Sequence, residues 1–231
     1  MHIYKYIQDY LKLKVTNKGR FLIDWKDRRA ILIEDTETTL FDRHYIYHPA
    51  WAARILAKTK PKLHVDISST LNFCSVISAF IPLKFYDYRP ADLKLSNFET
   101  GCVDLISLPF KDNSILSLSC MHTVEHIGLG RYGDKIDPDG DLKAIKELKR
   151  VLAIGGTLLF VVPIGKPKVI FNAHRIYCLK QIKAYFSDLI LKEFVLVPDK
   201  INGEYPLINP SENFCNRQSY GCGCFKFVKS R

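Results

Sequence analysis

The feature that most constrains the fold of this chain is an alternation of strand patterns and helix patterns after Pro61. Residues 63–67 (LHVDI) and 83–87 (LKFYD) are apolar, β-branched or aromatic runs that contain or end in an acidic residue. Residues 115–121 (ILSLSCM) and 157–162 (TLLFVV) are two further strand patterns. Strands that alternate with helices through short connections predict a mostly parallel sheet covered on both faces.

The segments between these strands have the periodicity of helices. Residues 141–153 place leucine and isoleucine on one face and lysine and arginine on the other, as in an amphipathic helix. Asp139 or Asp141 is expected to cap the start of this helix, and Gly155-Gly156 is expected to end it. A shorter helical pattern before the second strand consists of Phe73, Val76, Ile77 and Phe80.

The pattern changes after residue 190. Residues 192–198 (KEFVLVP) and 223–228 (GCFKFV) are strand patterns with a polar loop and no helix between them. They predict an antiparallel pair at one edge of an otherwise parallel, doubly wound α/β sheet. We expect residues 1–60 to form a helical and irregular lead-in and residues 61–231 to form the α/β domain, in a chain with a single domain overall.

The composition limits the kind of protein and its location. No apolar run approaches the roughly 18 residues of a membrane-spanning helix, and the first ten residues lack the apolar centre of a secretory signal. These features favour a cytoplasmic protein, in which the seven cysteines are expected to be free thiols. Cys215, Cys222 and Cys224 lack a second CxxC or a nearby HxxxH pattern, so no metal site is expected.

The formal net charge of +10 points to an anionic partner, such as nucleic acid, an anionic membrane surface or a phosphorylated substrate. However, the lysines and arginines are spread along the chain, so a solvated basic surface explains the charge equally well. The sequence does not indicate an oligomeric state.

Acidic residues follow successive predicted strands, at the edge of the sheet where doubly wound proteins bind their ligands. Asp66 lies at the end of the first strand and Asp87 at the end of the second, where a carboxylate can accept hydrogen bonds from both ribose hydroxyls. Asp104 lies in the next loop and could accept a hydrogen bond from the amine of an adenine. Each alone is also a common turn or capping residue. Together, in this order, they predict a nucleoside site.

Four pieces of the segment from His64 to Gly165 resemble the core of class I S-adenosylmethionine-dependent methyltransferases. They are HVDIS, FYDYRP, VDLISLPFKDNSILSLSCMHTVEHI and ELKRVLAIGGTLLFVVP. The third resembles that superfamily's acid, Leu-Pro-Phe, Asp-Asn-Ser, strand and Glu-His pattern. The fourth resembles its helix, Arg-Val-Leu, Gly-Gly and strand pattern. The resemblance implies a seven-stranded Rossmann-like sheet, S-adenosyl-L-methionine as cofactor, and methyl transfer to an acceptor.

The resemblance also implies which residues bind the cofactor. Asp66 and Ser68 would line the methionine moiety, and Asp87 would bind the ribose. Asp104 with Leu105 would flank the adenine. Carried over by position, the full set of cofactor-binding residues is Asp66, Ser68, Asp87, Asp104, Leu105 and Met121.

The first loop departs from the superfamily pattern, which usually has glycines where this chain has Ser68, Thr70 and Asn72. Glycine permits a positive φ and a close approach of the backbone to a ligand. A serine in that conformation costs on the order of 1 kcal/mol, although the hydroxyls of Ser68 and Ser69 could donate to the cofactor carboxylate. A second interpretation therefore stays open, that of a catalytically inactive binding or scaffold protein with this fold.

The catalytic candidates are His122, Glu125 and His126, which follow the strand that ends at Met121. Methyl transfer to oxygen often needs a general base, and histidine is the side chain whose ordinary pKa suits that role near neutral pH. His126 could instead bond a backbone carbonyl and order the loop. The order HTVEH differs from the HExxH signature of metalloproteases.

A narrower resemblance, over about residues 45–228, rests on EHIGLGRYGDKIDPDGD, FNAHR and YGCGCFKF. These pieces are similar to a small, largely uncharacterised bacterial group associated with surface-polysaccharide gene sets. That likeness implies a small or glycan-linked acceptor and a role in polysaccharide biosynthesis. Arginines near the site would suit an anionic acceptor, but Arg175 could equally pair with an aspartate and pin the loop. A nucleic-acid substrate ranks lower, because only the charge suggests it. The predicted substrate-binding residues are Arg131, Tyr132, Asn172, His174 and Arg175.

Overall fold

A computed structural model describes residues 2–199 and 206–230, which form two compact units. The smaller unit, up to Asp42, has helix α1 (His2–Thr16) and a 3-10 turn at Trp25–Asp27. Its aromatic residues pack on one another, and the rings of Tyr10 and Trp25 meet edge-on at 4.8 Å. The larger unit begins at Arg43. The predicted division into a lead-in of residues 1–60 and an α/β part of residues 61–231, with a single domain overall, stays a prediction.

The larger unit contains five α-helices, one 3-10 turn at Val124–His126 and ten strands among its described residues. The helices are α2 (Arg43–Thr59), α3 (Leu71–Ile77), α4 (Gly140–Val151), α5 (Leu179–Tyr185) and α6 (Glu212–Asn216). The first five strands are β1 (His64–Ile67), β2 (Leu83–Asp87), β3 (Phe98–Cys102), β4 (Ile115–Met121) and β5 (Leu152–Ile164). The others are β6 (Lys168–Ile170), β7 (His174–Ile176), β8 (Ile190–Val197), β9 (Leu207–Ile208) and β10 (Gly221–Val228).

Eight of these strands form one sheet in the order β3-β2-β1-β4-β5-β10-β8-β9. Strands β1 to β5 are parallel, and β10 is inserted antiparallel between β5 and β8. The predicted fold class, a doubly wound α/β sheet with antiparallel C-terminal strands, is confirmed. The order reverses between β1 and β4, which makes the carboxyl ends of these strands the expected place for a ligand.

The structure adds two strands to this sheet, β3 and β9, that the apolar pattern does not reveal. In β3 only Phe98 is buried, since this strand lies at the edge of the sheet. Strand β9 has two residues and pairs with β8. The sheet therefore has eight strands, of which the seven longer ones match the expected number. The polar loop predicted before the last strand includes residues 200–205, which lie outside the described residues.

Two apolar layers cover the faces of the sheet. On one face α4 and α5 pack on the central strands through residues such as Leu148 and Phe186. On the other face α2 and α3 bury Leu56 and Ile77. Because burying a leucine or phenylalanine side chain stabilises a fold by about 1.5–3 kcal/mol, these layers fix the strand ends that carry the site.

Two predicted details of the helices differ from the structure. Helix α4 ends at Val151, and Gly155 has a positive φ of 76° inside β5, next to a register shift against β4. The glycine pair therefore shapes the start of β5 and does not end the helix. Asp139 occupies the N-cap position without a side-chain capping hydrogen bond. In the shorter segment the helix ends at Ile77, and Phe80 is exposed beyond it.

Candidate active site

Two clefts meet at the carboxyl ends of β1, β2 and β4. The first, the apolar cleft, has a volume of about 400 Å³, and the second, the histidine cleft, about 430 Å³. Ser68 and Tyr132 line both clefts. The apolar cleft is also lined by Tyr88, Val103, Asp104, Leu105, Ile106, Thr123 and the loop 127–137. The histidine cleft is also lined by Tyr45, Ser69, Thr70, Met121, His122, His126, Arg131, Ala173, His174 and Tyr220.

The loop between β1 and α3, residues 68–70, is the first loop of the sheet. Asp66, whose side chain is fully buried, holds this loop from below. Its Oδ1 accepts a hydrogen bond from the backbone N–H of Ser69 at 2.9 Å, and its Oδ2 accepts one from the hydroxyl of Ser119. Burial raises the pKa of Asp66, and these two hydrogen bonds offset part of the rise. The structure thus places Asp66 behind the loop as its anchor, and its contact with a methionine moiety stays a prediction.

A buried histidine extends this anchor into the sheet. His64 Nε2 lies 2.8 Å from the hydroxyl of Ser119 and Nδ1 lies 2.8 Å from the hydroxyl of Ser117. Burial lowers the pKa of His64 to about 3, so the imidazole is neutral. Because the hydroxyl of Ser119 donates to Asp66, it accepts a hydrogen bond from Nε2–H of His64. Nδ1 of His64 then accepts a hydrogen bond from the hydroxyl of Ser117. The relay joins β1 to β4 directly beneath the first loop.

Only one of the three positions that usually hold glycine requires a left-handed backbone here. Ser68 has a φ of 56°, whereas Thr70 has a φ of −75° and caps α3 by accepting a hydrogen bond from the N–H of Phe73. Asn72 lies inside α3. The predicted strain is therefore confined to Ser68. Its hydroxyl lies 3.3 Å from the carbonyl oxygen of Tyr86, to which it donates.

The predicted nucleoside residues lie around the apolar cleft. Asp104 is exposed at its rim and Leu105 is buried in its wall. Asp87 is the last residue of β2 and precedes Tyr88, which lines the apolar cleft. Oδ1 of Asp87 accepts a hydrogen bond from the N–H of Arg89 at 2.7 Å. Met121 lies at the base of the histidine cleft, where its N–H donates to the hydroxyl oxygen of Ser69 at 3.1 Å.

The three catalytic candidates lie together in the histidine cleft and its wall. His122 Nδ1 lies 2.8 Å from Glu125 Oε1, and His126 Nε2 lies 3.9 Å from the same oxygen. His122 has a φ of 55°, a left-handed conformation that is uncommon for a residue with a Cβ. Burial raises the pKa of Glu125 to about 7.

His126 is the more accessible of the two histidines, with 11% of its side chain exposed against 2% for His122. Its Nδ1 lies 2.6 Å from the carbonyl oxygen of Ala173 and must donate to it, which leaves Nε2 with a lone pair. Burial lowers the pKa of His126, and the nearby Glu125 partly offsets this effect. The imidazole is therefore neutral and able to accept a proton at neutral pH.

The structure brings in residues that the sequence did not suggest. Rings of His44 and His48, both in α2, lie 5.3 and 5.1 Å from the ring of His122. Tyr220 stacks on His44 at 4.8 Å and contacts His174 at the same distance. Five of the chain's seven histidines therefore gather at one place, from segments far apart in the sequence. They are His44, His48, His122, His126 and His174.

The predicted acceptor residues divide into two groups. Arg131, Tyr132 and His174 line the histidine cleft. Asn172 is exposed on the turn between β6 and β7 and lines neither cleft. Arg175 is buried and turned into the protein, as its contacts show.

Arg175 pins the loop that separates the clefts from α4, residues 127–139. It donates to the carbonyl oxygens of Ile127 and Pro138 at 2.5 and 3.2 Å, and its Nε lies 3.6 Å from Asp141 Oδ1. The alternative weighed from the sequence, that this arginine pairs with an aspartate, is what the structure shows. These contacts show that Arg175 holds the loop, and its contact with an acceptor stays a prediction.

A second device orders the same loop. Asp134 accepts hydrogen bonds from the N–H groups of Gly128 and Tyr132 at 2.7 and 3.2 Å. Gly128 has a φ of 81°, and a Cβ at this position would lie 2.1 Å from the carbonyl oxygen of Asp137. The guanidinium groups of Arg89 and Arg131 lie 4.8 and 5.1 Å from the ring centre of Tyr132. The loop therefore holds Tyr132 at the junction of the two clefts.

Comparison with solved structures identifies the fold as that of class I S-adenosylmethionine-dependent methyltransferases. The N-methyltransferase NodS from Bradyrhizobium japonicum, in complex with S-adenosyl-L-homocysteine, matches with a TM-score of 0.56, 12% identity and coverage of 100% of both chains. The 1,6-didemethyltoxoflavin-N1-methyltransferase from Burkholderia thailandensis matches at 0.56 and 9%, covering 80% of this chain and 79% of that one. The YcgJ protein from Bacillus subtilis matches at 0.52 and 14%, covering 79% and 99%. At such identities the likeness shows the fold alone.

Sequence comparison is less informative. Residues 112–189 match a family model described as Caenorhabditis protein of unknown function, DUF268. No curated protein matches the sequence of this chain. None of the helices in the described part of the chain is both long enough and apolar enough to span a membrane.

Proposed function

We propose that this protein is an S-adenosylmethionine-dependent methyltransferase that acts on a small or glycan-linked, anionic acceptor. The observation that carries the proposal is the junction of two unlike clefts at Ser68 and Tyr132, at the carboxyl ends of parallel strands. One cleft has apolar walls and acidic groups suited to an adenosine. The other has histidines and an arginine suited to a nucleophilic acceptor. Both have the size of small-molecule sites, about 300–1,000 Å³.

The residues of the apolar cleft fit the cofactor. The backbone at Ser68 already has the left-handed conformation that glycine supplies in the superfamily, so the loop from Ser68 to Thr70 could hold the methionine moiety. Asp87 would hold the ribose, Asp104 the adenine amine, and Leu105 the face of the adenine ring. When bound, S-adenosylmethionine supplies an electrophilic methyl group on a sulfonium.

His126 is our candidate for the general base that removes a proton from the acceptor. Its N–H is committed to Ala173, its Nε2 carries the lone pair, and the ring lines the histidine cleft. Glu125 lies 3.9 Å from Nε2 and would stabilise the imidazolium that forms. A positioned base of this kind contributes about 10²–10⁴-fold to a reaction rate.

The class of acceptor is supported by charge. Arg131 lines the cleft with an exposed side chain, and its Nη1 donates to Ala173 at 3.0 Å beside His126. His174 also lines the cleft, and its ring centre lies 6.4 Å from that of His126. A sugar phosphate or sugar acid would place its anionic group against Arg131 and a hydroxyl near His126. The role in polysaccharide synthesis and the cytoplasmic location stay predictions.

Calorimetric titration with S-adenosylmethionine and S-adenosylhomocysteine tests the cofactor. Micromolar binding is expected, weakened at least tenfold in Asp87→Ala, because the ribose hydroxyls lose their acceptor. Asp92→Ala is the matched control, since this aspartate is exposed in the loop that follows β2. Absence of heat and of any thermal shift at millimolar ligand would overturn the proposal and leave the scaffold interpretation. With binding established, transfer of a labelled methyl group to sugar phosphates and to their neutral analogues tests the acceptor class.

A further inference from the structure

Three side chains with metal-binding atoms converge beside the histidine cleft. They are His44 from α2, His122 from the loop after β4, and Cys222 from β10. One ligand atom from each residue lies within 4.8 Å of the other two. His122 and Cys222 are buried and His44 is half-buried. The residues are far apart in the sequence, and only the pairing of β10 with β5 and the packing of α2 bring them together.

The surroundings of both histidines orient their rings for coordination. His122 Nδ1 lies 2.8 Å from the carboxylate of Glu125, which directs the lone pair of this imidazole to Nε2. His44 Nε2 lies 3.0 Å from the carbonyl oxygen of Tyr220, which directs the lone pair to Nδ1. A metal-binding histidine almost always donates its other N–H to a carboxylate or a backbone carbonyl in this way.

We propose that His44, His122 and Cys222 form a binding site for a divalent transition-metal ion, and that zinc is the ion favoured by this donor set. Two imidazoles and one thiolate are ligands typical of zinc, whereas magnesium and calcium prefer oxygen. The ring centroids of His44 and His122 are 5.3 Å apart, with an angle of 13° between the ring planes. The three ligand atoms need to approach one another by roughly 1 Å to reach bonding distances.

The environment of Glu125 supports a cation at this place. The carboxylate is fully buried, and its Oε2 accepts no hydrogen bond from any described residue. Its other oxygen, Oε1, lies 2.8 Å from His122 Nδ1, so Glu125 fixes the orientation of the imidazole that would bind the ion.

Three protein ligands leave a tetrahedral zinc ion one position for water or a substrate atom. Because His122 lines the histidine cleft, the ion would lie at the wall of the proposed acceptor site. A role in binding an acceptor oxygen rests on the proposed methyl transfer, whereas metal binding itself does not. The two are therefore tested separately, and the metal experiment is done without S-adenosylmethionine.

The test is binding of zinc and cobalt to the full chain under reducing conditions, after removal of metal with a chelator. We expect one zinc per chain, and with cobalt an intense thiolate-to-metal charge-transfer band. Cys222→Ser should abolish the band, and His44→Gln should weaken zinc binding at least about a hundredfold. Cys215→Ser is the matched control, because Cys215 is as buried as Cys222 but lies on α6, and it should keep both properties.

Three results would overturn the site. They are no zinc retained by the wild type after desalting, a cobalt complex without the thiolate band, or a band that Cys222→Ser keeps. Circular dichroism of each variant reports folding, and if Cys222→Ser does not fold, His44→Gln decides the question through the zinc affinity. Glu125→Gln gives a graded check, with an expected loss of affinity of about 10–100-fold, because Glu125 acts through His122.

Discussion

The two clefts are built differently, although they share a wall. The apolar cleft is lined by residues between Ser68 and Gly140, nearly all at strand ends or in the loops that follow them. The histidine cleft draws its residues from Tyr45 to Tyr220, through α2, β4, the β6–β7 turn and the segment before β10. The residues of the first cleft thus come from the parallel strands and the loops that follow them, and Arg175 of β7 pins one of those loops. The second also needs the packing of distant elements.

The same residue type illustrates the difference. His64, under the first loop, is neutral and bonded through both ring nitrogens to serines, and it holds two strands together. His126, in the histidine cleft, has one nitrogen bonded to Ala173 and directs the other to the cleft. A histidine with both nitrogens engaged is structural, whereas one with a single nitrogen engaged can take part in chemistry.

The largest effect is expected at His126. His126→Ala should lower kcat for methyl transfer by about 10²–10⁴-fold, because the proton acceptor is lost, while calorimetry shows unchanged cofactor affinity. His174→Ala, in the same cleft, should raise KM and leave kcat within a few-fold. If the two variants behave alike, His126 serves only to line the cleft.

The loop that separates the clefts from α4 offers a matched pair of glycines. Gly128→Ala should lower the free energy of unfolding by about 3 kcal/mol or more, because the new Cβ would collide with the carbonyl of Asp137. Gly133→Ala has nearly the same φ, 86°, but open space around the Cβ, and should cost about 1 kcal/mol. Urea denaturation measures both. Equal losses would show that backbone strain, and not the collision, sets the cost.

The neutral His64 predicts a dependence of stability on pH. The pKa of His64 is about 3 in the folded protein and near 6.5 in the unfolded chain. Between these two pH values the unfolded chain binds one more proton than the folded protein. The free energy of unfolding therefore falls as the pH is lowered from 6.5 to 3. From pH 7 to pH 4 the wild type should lose about 3 kcal/mol more than His64→Gln, whose amide can bond both serines without titrating. Urea melts at both pH values test this, and parallel losses would contradict it.

The smallest effects are expected in the first loop, where two substitutions should act differently. Ser68→Gly removes the left-handed strain of about 1 kcal/mol but makes the unfolded chain more flexible, so stability should stay within about 0.5 kcal/mol or rise. Thr70→Ala should lower stability by about 1 kcal/mol, because the cap of α3 is lost. Thermal unfolding compares them, and a larger loss for Ser68→Gly would show that the hydroxyl bond to Tyr86 matters more than the strain.

Much of the fold and of the apolar cleft could be predicted from the sequence, because both depend on local patterns. Asp104 and Leu105 are adjacent residues in a loop after a strand, and the structure places both at the apolar cleft. Strand β3 escaped detection because an edge strand with one buried residue has no apolar alternation.

The histidine cleft could be predicted only in part. His122, Glu125 and His126 are close in the sequence and therefore stood out. His44 did not stand out, and Cys222 was considered only together with Cys215 and Cys224, because the proximity of His44 and Cys222 depends on how α2 and β10 pack. The sequence allowed two roles for Arg175, contact with an acceptor or an ion pair with an aspartate. The ion pair with Asp141 of α4 depends on the path of the loop, which the sequence does not reveal.

The position of β10 in the sheet has a consequence for synthesis on the ribosome. Strand β8 is synthesised before β10. In the described sheet β10 lies between β5 and β8 and pairs with both of them. Until residues 221–228 emerge, β5 and β8 both present open edges, which are prone to pairing with other chains. Cys222 and the neighbouring Tyr220 arrive with that strand. The nascent chain can therefore form the apolar cleft early, while the histidine cleft is completed only as the last strand is inserted.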